Sequence, residues 1–269
     1  HNWRRGGYGM LTLPQTLMVS SNIGVSRIID DHYRQNPAKF VEGIHRMGLC
    51  DDLHLPFKGA SSAKVRYPKL DKRGKQYVNW SKTTLPWMSI GYETQVPPIS
   101  TLTFYNAIAN GGTMMQPRFV TRAVKDGQTV RDFPPVVLHK HICKQKTLGE
   151  IQTILEHVVS QGLGKKAGSP SFKVAGKTGT AQVSQGRGGY KSGGVSYLLS
   201  FAGYFPADAP RYSCIVCIQK HGLPASGGGM SGKVFHDIAE GVMAQSLKLN
   251  ITDARDAQSE PQPDVKEGN

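Results

Sequence analysis

The chain has 269 residues, 38% of them apolar, enough for one large domain or two small ones around a substantial core. Its 33 Lys and Arg against 19 Asp and Glu leave a net charge of +14, which suits anionic partners: nucleic acid, anionic lipid, acidic polymers or carboxylate ligands. No apolar run is long enough to span a bilayer, and the opening HNWRRGG has neither an initiator Met nor a signal peptide, so a piece of a longer protein is expected.

Residues 12–31, TLPQTLMVSSNIGVSRIIDD, read as helix, interruption, helix, with Thr12 able to cap and Pro14 fitting a first turn. A clearer helix covers 36–48: Asn36 caps, Pro37 takes the first position, Phe40, Ile44 and Met47 share a face, and Gly48 ends it. Residues 56–95 show no strong period. A helix is predicted after Pro98, ending at Asn110 and Gly111, followed by short strands near 115–124. The segment 147–162 is amphipathic, with Ile151, Ile154, Leu155 and Val158 on its apolar side.

The second half reads as a strand (172–183), a glycine-rich loop (184–195), a strand (196–204), a turn at Pro206–Pro210 and a strand (211–219). Short connections make this an antiparallel meander. A helix at 231–247 closes the domain, and the polar tail 250–269 reads as disordered or a linker. The fold class is α+β: an antiparallel sheet whose last strands are covered by a C-terminal helix, with a helical subdomain from the first half. Residues 1–249 form that domain.

Several chemistry-bearing residues have plain structural readings. Cys214 and Cys217 lie in YSCIVCIQ, which alternates like a buried strand; residues three apart on a strand face opposite ways. With no second pair, they read as core thiols rather than metal ligands. The His-Lys-His at 139–141 reads as a surface loop. No metal or cofactor is expected. The run 64–82 has seven Lys or Arg, one Asp, and Tyr67, Tyr77 and Trp80 interleaved. That composition can hold a phosphate backbone, but no nucleic-acid-binding motif accompanies it, so a solvated basic loop is expected and nucleic acid is not.

The stretch FKVAGKTGTAQV (172–183) puts Gly-Lys-Thr inside a strand. A phosphate-binding loop would need a glycine at Ser171 and a helix after the motif, and neither is present. The alternative is the Lys-Thr-Gly strand of the serine penicillin-recognising enzymes. There a lysine beside the nucleophilic serine acts as a fixed positive charge, threonine hydroxyls take the substrate carboxylate, and a backbone N–H holds an oxyanion. A glycine lets substrate lie close to the strand. That strand needs a Ser-x-Asn partner, and MVSSNIGV supplies Ser20 and Asn22. On one continuous helix these two would diverge by about 200°. At a helix–helix junction they can converge on one cleft.

With these pieces in order, the chain resembles the transpeptidase domain of class B penicillin-binding proteins, which cross-link peptidoglycan. The resemblance rests on GMLTLPQTLMVSSNIG (9–24), GYETQVPPISTLTFYNAIANGGTMMQPRFV (91–120), VAGKTGTAQV (174–183) and SYLLSFAGYFPADAPRYSCIVCI (196–218). The last two look most like the cell-division type. The resemblance implies that Ser20 shuttles a proton to the leaving group and that Asn22 holds the acyl-donor peptide. It implies that Lys177 bridges to Ser20, and that Thr178 and Thr180, flanking Gly179, bind the terminal D-Ala carboxylate. The Thr180 N–H would supply half of the oxyanion hole.

The family's nucleophile, the serine of Ser-x-x-Lys, precedes Ser-x-Asn, and nothing in residues 1–19 fits it. Ser61-Ser62-Ala63-Lys64 matches the pattern but lies after Ser20, in a stretch without helical period. The chain is therefore expected to lack the N-terminal part of its domain and to form no acyl-enzyme itself. The implied partners are D-Ala-D-Ala stem peptides, β-lactams in the intact parent, and membrane proteins of the divisome. The implied location is the periplasmic face of the cytoplasmic membrane, anchored by an upstream helix. Other readings are an elongation-type relative, a serine β-lactamase or D,D-carboxypeptidase, and a scaffold without catalysis.

Overall fold

The computed structural model describes residues 6–183 and 195–258. Three helices come first: α1 (Leu13–Met18), α2 (Asn22–Tyr33) and α3 (Pro37–Arg46). Strand β1 (Lys64–Val65) pairs with β2 (Thr94–Gln95) across helix α4 (Thr84–Met88). Helix α5 (Pro98–Ala109) leads into β3 (Met114–Met115), β4 (Arg122–Lys125), β5 (Gln128–Asp132) and β6 (Val137–His139). Of these, β3 pairs with β6, and β4 with β5. Helix α6 (Gln145–Ser160) precedes the central meander of β7 (Ala175–Val183), β8 (Ser196–Phe205) and β9 (Tyr212–His221). Helix α7 (Gly232–Gln258) follows a π-helical turn at Gly227–Ser231.

The meander is antiparallel throughout. Ala175 stands opposite Tyr204 and Val183 opposite Ser196; Ser196 in turn stands opposite His221 and Phe205 opposite Tyr212. Alternate residues of β8 serve two cores. Phe201 and Phe205 pack on Phe235 of α7, with ring centroids 4.6 and 5.6 Å away. Tyr204 turns the other way, into a cluster with Ala107 and Ile108 of α5 and Leu148 and Leu155 of α6. Phe201 and Phe235 are wholly buried, so each holds about 2–3 kcal/mol of apolar burial. With both faces covered, β7 keeps one free edge, since β8 is its only partner among the described residues.

The α+β architecture, the antiparallel meander and its covering C-terminal helix match the sequence reading; several details differ. The short strands extend past the predicted 115–124 to β6 at 139. The quiet region 56–95 contains β1, α4 and β2. Helix α7 continues to Gln258, nine residues into the segment read as a polar tail. Of the CxxC pair, Cys214 is half-buried against the core and Cys217 is exposed rather than a core thiol; Cys50 and Cys143 are half-buried, and all four are free thiols. Cys214 sits on the α7 side of β9, and Cys217 points the other way, towards solvent. His139 belongs to β6 rather than a surface loop, and its ring pairs with the Asp51 carboxylate.

Candidate active site

The turn between α1 and α2 is tightly specified. Thr12 opens α1 with a capping box: its hydroxyl accepts from the Gln15 N–H, and the Gln15 side chain accepts from the Thr12 N–H at 2.9 Å. The helix then closes through Ser20 N–H to the Leu17 carbonyl (3.1 Å) and Ser21 N–H to the Thr16 carbonyl (2.9 Å). Ser21 caps α2 by accepting from the Gly24 N–H at 3.2 Å. Between these caps, Ser20 takes φ +50°, a left-handed backbone that costs a non-glycine residue about 1 kcal/mol or more. That backbone lifts the Ser20 side chain out of both helices and toward the free edge of β7.

Lys177 meets it there. Its Nζ donates to Ser20 Oγ at 2.8 Å, across 157 residues of sequence. The same ammonium lies 3.2 Å from the Thr178 carbonyl oxygen and 3.4 Å from Thr178 Oγ1. No carboxylate pairs with it among the described residues. Burial without a counter-ion lowers its pKa from 10.5 to about 8. The arrangement is a desolvated cation held on a serine hydroxyl.

Gly179 is fixed by its neighbours in the sheet. A Cβ there would collide with Ser200 Oγ on β8, its register partner. On the other side comes the turn after β9. A Cβ on Gly227 would overlap the Gly179 carbonyl oxygen, so two backbones touch where neither tolerates a side chain. The Gly227 N–H donates to Thr180 Oγ1 at 3.0 Å, which fixes that hydroxyl's rotamer.

Asn22, the first residue of α2, and Thr180 of β7 both line a cleft of about 850 Å³. Trp87, Ile90 and Tyr92 form its apolar side, Arg27 and Asp30 its polar end. The Trp87 and Tyr92 rings meet edge to face at 5.1 Å. Ser20, Lys177, Thr178 and Gly179 stand outside the cleft lining, next to the residues that form it. The six predicted positions thus gather at one place, divided between a Ser–Lys pair and an adjoining binding cleft.

Residues 1–240 match the penicillin binding protein transpeptidase domain. The chain belongs to this transpeptidase family. Among curated relatives, penicillin-binding protein PbpB of Mycobacterium tuberculosis is 28% identical over 88% of this chain and 33% of its own length. Stage V sporulation protein D of Bacillus subtilis is 27% identical over 91% of this chain and 35% of its own. For peptidoglycan D,D-transpeptidase FtsI of Escherichia coli the figures are 27%, 88% and 36%. The chain thus spans about a third of the length of these relatives. Among solved structures, penicillin binding protein 3 of M. tuberculosis complexed with aztreonam superposes with a TM-score of 0.73, at 27% identity over 91% of this chain and 54% of that one. The transpeptidase domain of Burkholderia pseudomallei penicillin-binding protein 3 does so with 0.64, at 30% identity over 90% and 66%.

Within this transpeptidase domain, Ser61 is exposed and Lys64 lies on β1, so that Ser-x-x-Lys has no helix to bring its ends together. Gly227, Tyr92 and Trp87 escaped the sequence reading. Three consecutive glycines before a helix were the available signal for the first; nothing local marks which strand they meet. The glycine-rich loop 184–195 falls outside the described residues apart from Val195. Among the described residues, no group of three or more His, Cys, Asp or Glu side chains is placed to hold a metal ion, and no helix is long and apolar enough to cross a membrane.

Proposed function

We propose that this chain is the greater part of the catalytic domain of a septal peptidoglycan D,D-transpeptidase. The observation that carries it is the 2.8 Å bond from Lys177 Nζ to Ser20 Oγ, made between a free strand edge and a helix junction in a member of this family. The attacking serine belongs to a part of the protein outside these 269 residues. This accords with the third of its relatives' length that the chain spans and with the lack of a Ser-x-x-Lys before Ser20. That serine adds to the carbonyl carbon of the penultimate D-Ala, its proton passing to its own lysine partner. The terminal C–N bond breaks and D-Ala leaves with a proton delivered through Ser20. An amine of a second stem then displaces the serine from the ester, forming the cross-link.

The residues present suit their parts. A lysine with a pKa of about 8 is charged near neutrality, yet close enough to it to supply the Ser20 proton relay. Asn22 and Thr180 line the same cleft from α2 and β7, and Gly227 pins the Thr180 hydroxyl, so a peptide backbone and its carboxylate meet polar side chains from two elements. Lys177 gives the site the positive potential that a D-Ala carboxylate requires. By the same reading, the protein works on the outer face of the cytoplasmic membrane, held there by a segment not included in this chain.

The test is intact-mass spectrometry after incubation with a labelled penicillin. The 269-residue chain is expected to stay unmodified, and the same chain joined to the preceding part of its parent to gain one adduct upstream of Ser20. An adduct on Ser20 or Ser61 in the short chain would sink the assignment.

A further inference from the structure

The basic run between β1 and α4 is a built hairpin rather than a loose loop. Leu70 bridges Tyr77, the Asp71 N–H donates to the Gln76 carbonyl (2.7 Å) and the Val78 N–H to the Lys69 carbonyl (2.8 Å). At the tip, Asp71 Oδ1 accepts from the N–H groups of Arg73 (3.2 Å), Lys75 (2.8 Å) and Gln76 (3.5 Å). At the base, Asn79 bonds the Lys69 N–H and the Tyr67 carbonyl, and the Tyr67 hydroxyl donates to Glu42 of α3. The one anion of the hairpin is therefore spent on its own backbone.

What remains outward is cationic and apolar together. Lys69, Lys72, Arg73 and Lys75 are exposed and form no ion pair among the described residues. Leu70 and Val78 stand beside them, 51% and 66% exposed. The β4–β5 hairpin is a natural comparison. It also exposes two valines, Val124 and Val130, but sets Arg122, Lys125 and Arg131 against Asp126 and Asp132. Only the first hairpin concentrates charge.

We propose that the 66–80 hairpin docks, tip first, on the anionic headgroup surface of a lipid bilayer. Four unpaired cations on a stiff tip match a negatively charged plane. Leu70 and Val78 then enter the headgroup boundary, where apolar side chains gain and a hydrated polyanion would leave them in water. Stacking of bases fits less well, because Tyr77 and Trp80 are half-buried and the Tyr67 hydroxyl is tied to Glu42.

The experiment is co-sedimentation of the 269-residue chain with vesicles at low salt. Phosphatidylglycerol-containing vesicles are expected to carry the protein down, and pure phosphatidylcholine vesicles to leave it in solution. Replacing Lys69, Lys72, Arg73 and Lys75 together by Gln should cut the partition coefficient about tenfold or more. The control Arg122→Gln/Lys125→Gln/Arg131→Gln should leave it unchanged. Leu70→Ser/Val78→Ser should weaken vesicle binding while retention on immobilised polyphosphate stays the same. Equal binding to both vesicle types, or equal loss in the control, overturns the proposal. So does an unaltered partition in the Leu70/Val78 variant, which would assign the hairpin to a soluble polyanion instead. Should the four-Gln variant fail to fold, the Leu70/Val78 variant and the control still decide.

Discussion

Lys177 is charged at a site that withholds solvent without offering a counter-ion. Its folded pKa of about 8 lies below the 10.5 of the free side chain, so between those values the unfolded chain binds the extra proton. Stability must therefore rise with pH across that window, by at most about 3 kcal/mol. The expected outcome is that the Tm difference between the wild type and Lys177→Met moves in favour of the wild type from pH 8 to pH 10, as thermal unfolding followed by circular dichroism will show. Gly179 gives a second test. Gly179→Ala should lose about 1–3 kcal/mol through the clash with Ser200 Oγ, and adding Ser200→Ala should recover most of it. A denaturant-melt double-mutant cycle that finds the two changes additive would exclude that cause. The Lys177–Ser20 pair was legible only through the resemblance to penicillin-binding proteins, which two short motifs carry; nothing in their spacing says that they meet. The reason for Gly179 was not: the sequence suggests room for substrate, whereas the structure adds a hydroxyl from the next strand, Ser200 Oγ, where a Cβ would stand.

Among the elements, those with a local cause were readable and those made by distant pairing were not. Thr12, Pro37 and Pro98 mark helix starts through caps and a fixed φ, and α1, α3 and α5 begin there. The helical pattern was less exact about burial. Val41, absent from the predicted face of α3, is its wholly buried residue, and Leu148 and Val159 join Leu155 and Val158 on α6. Strands β1 and β2 have two residues each and exist only because they meet. No periodicity fits in so short a span, and α4 is barely longer. Helix α7 was plain from its pattern, but its weight comes from Phe235, whose ring touches both Phe201 and Phe205. Phe235→Ala should cost about 3–5 kcal/mol. If the urea midpoint barely moves, the sheet does not depend on α7 for its cover.

At the scale of the molecule, the chain presents large apolar side chains on either side of the Ser20 turn: Met10 is 99% exposed, Leu13 54% and Ile23 47%. Sedimentation velocity should show self-association that grows with concentration and declines in Met10→Ser/Leu13→Ser. The site also draws on parts of the chain that are made far apart in time. The α1–α2 turn is complete early, but the strand bearing Lys177 gains its sheet neighbour β8 only once Phe205 has been synthesised, and β9 and Gly227 come later still. Domains are built from the N-terminus as they emerge. A chain still on the ribosome therefore holds its serine turn without its lysine. No half-made copy can present Ser20, Lys177 and Thr180 together, so the site exists only when the last strand and the glycine turn are in place.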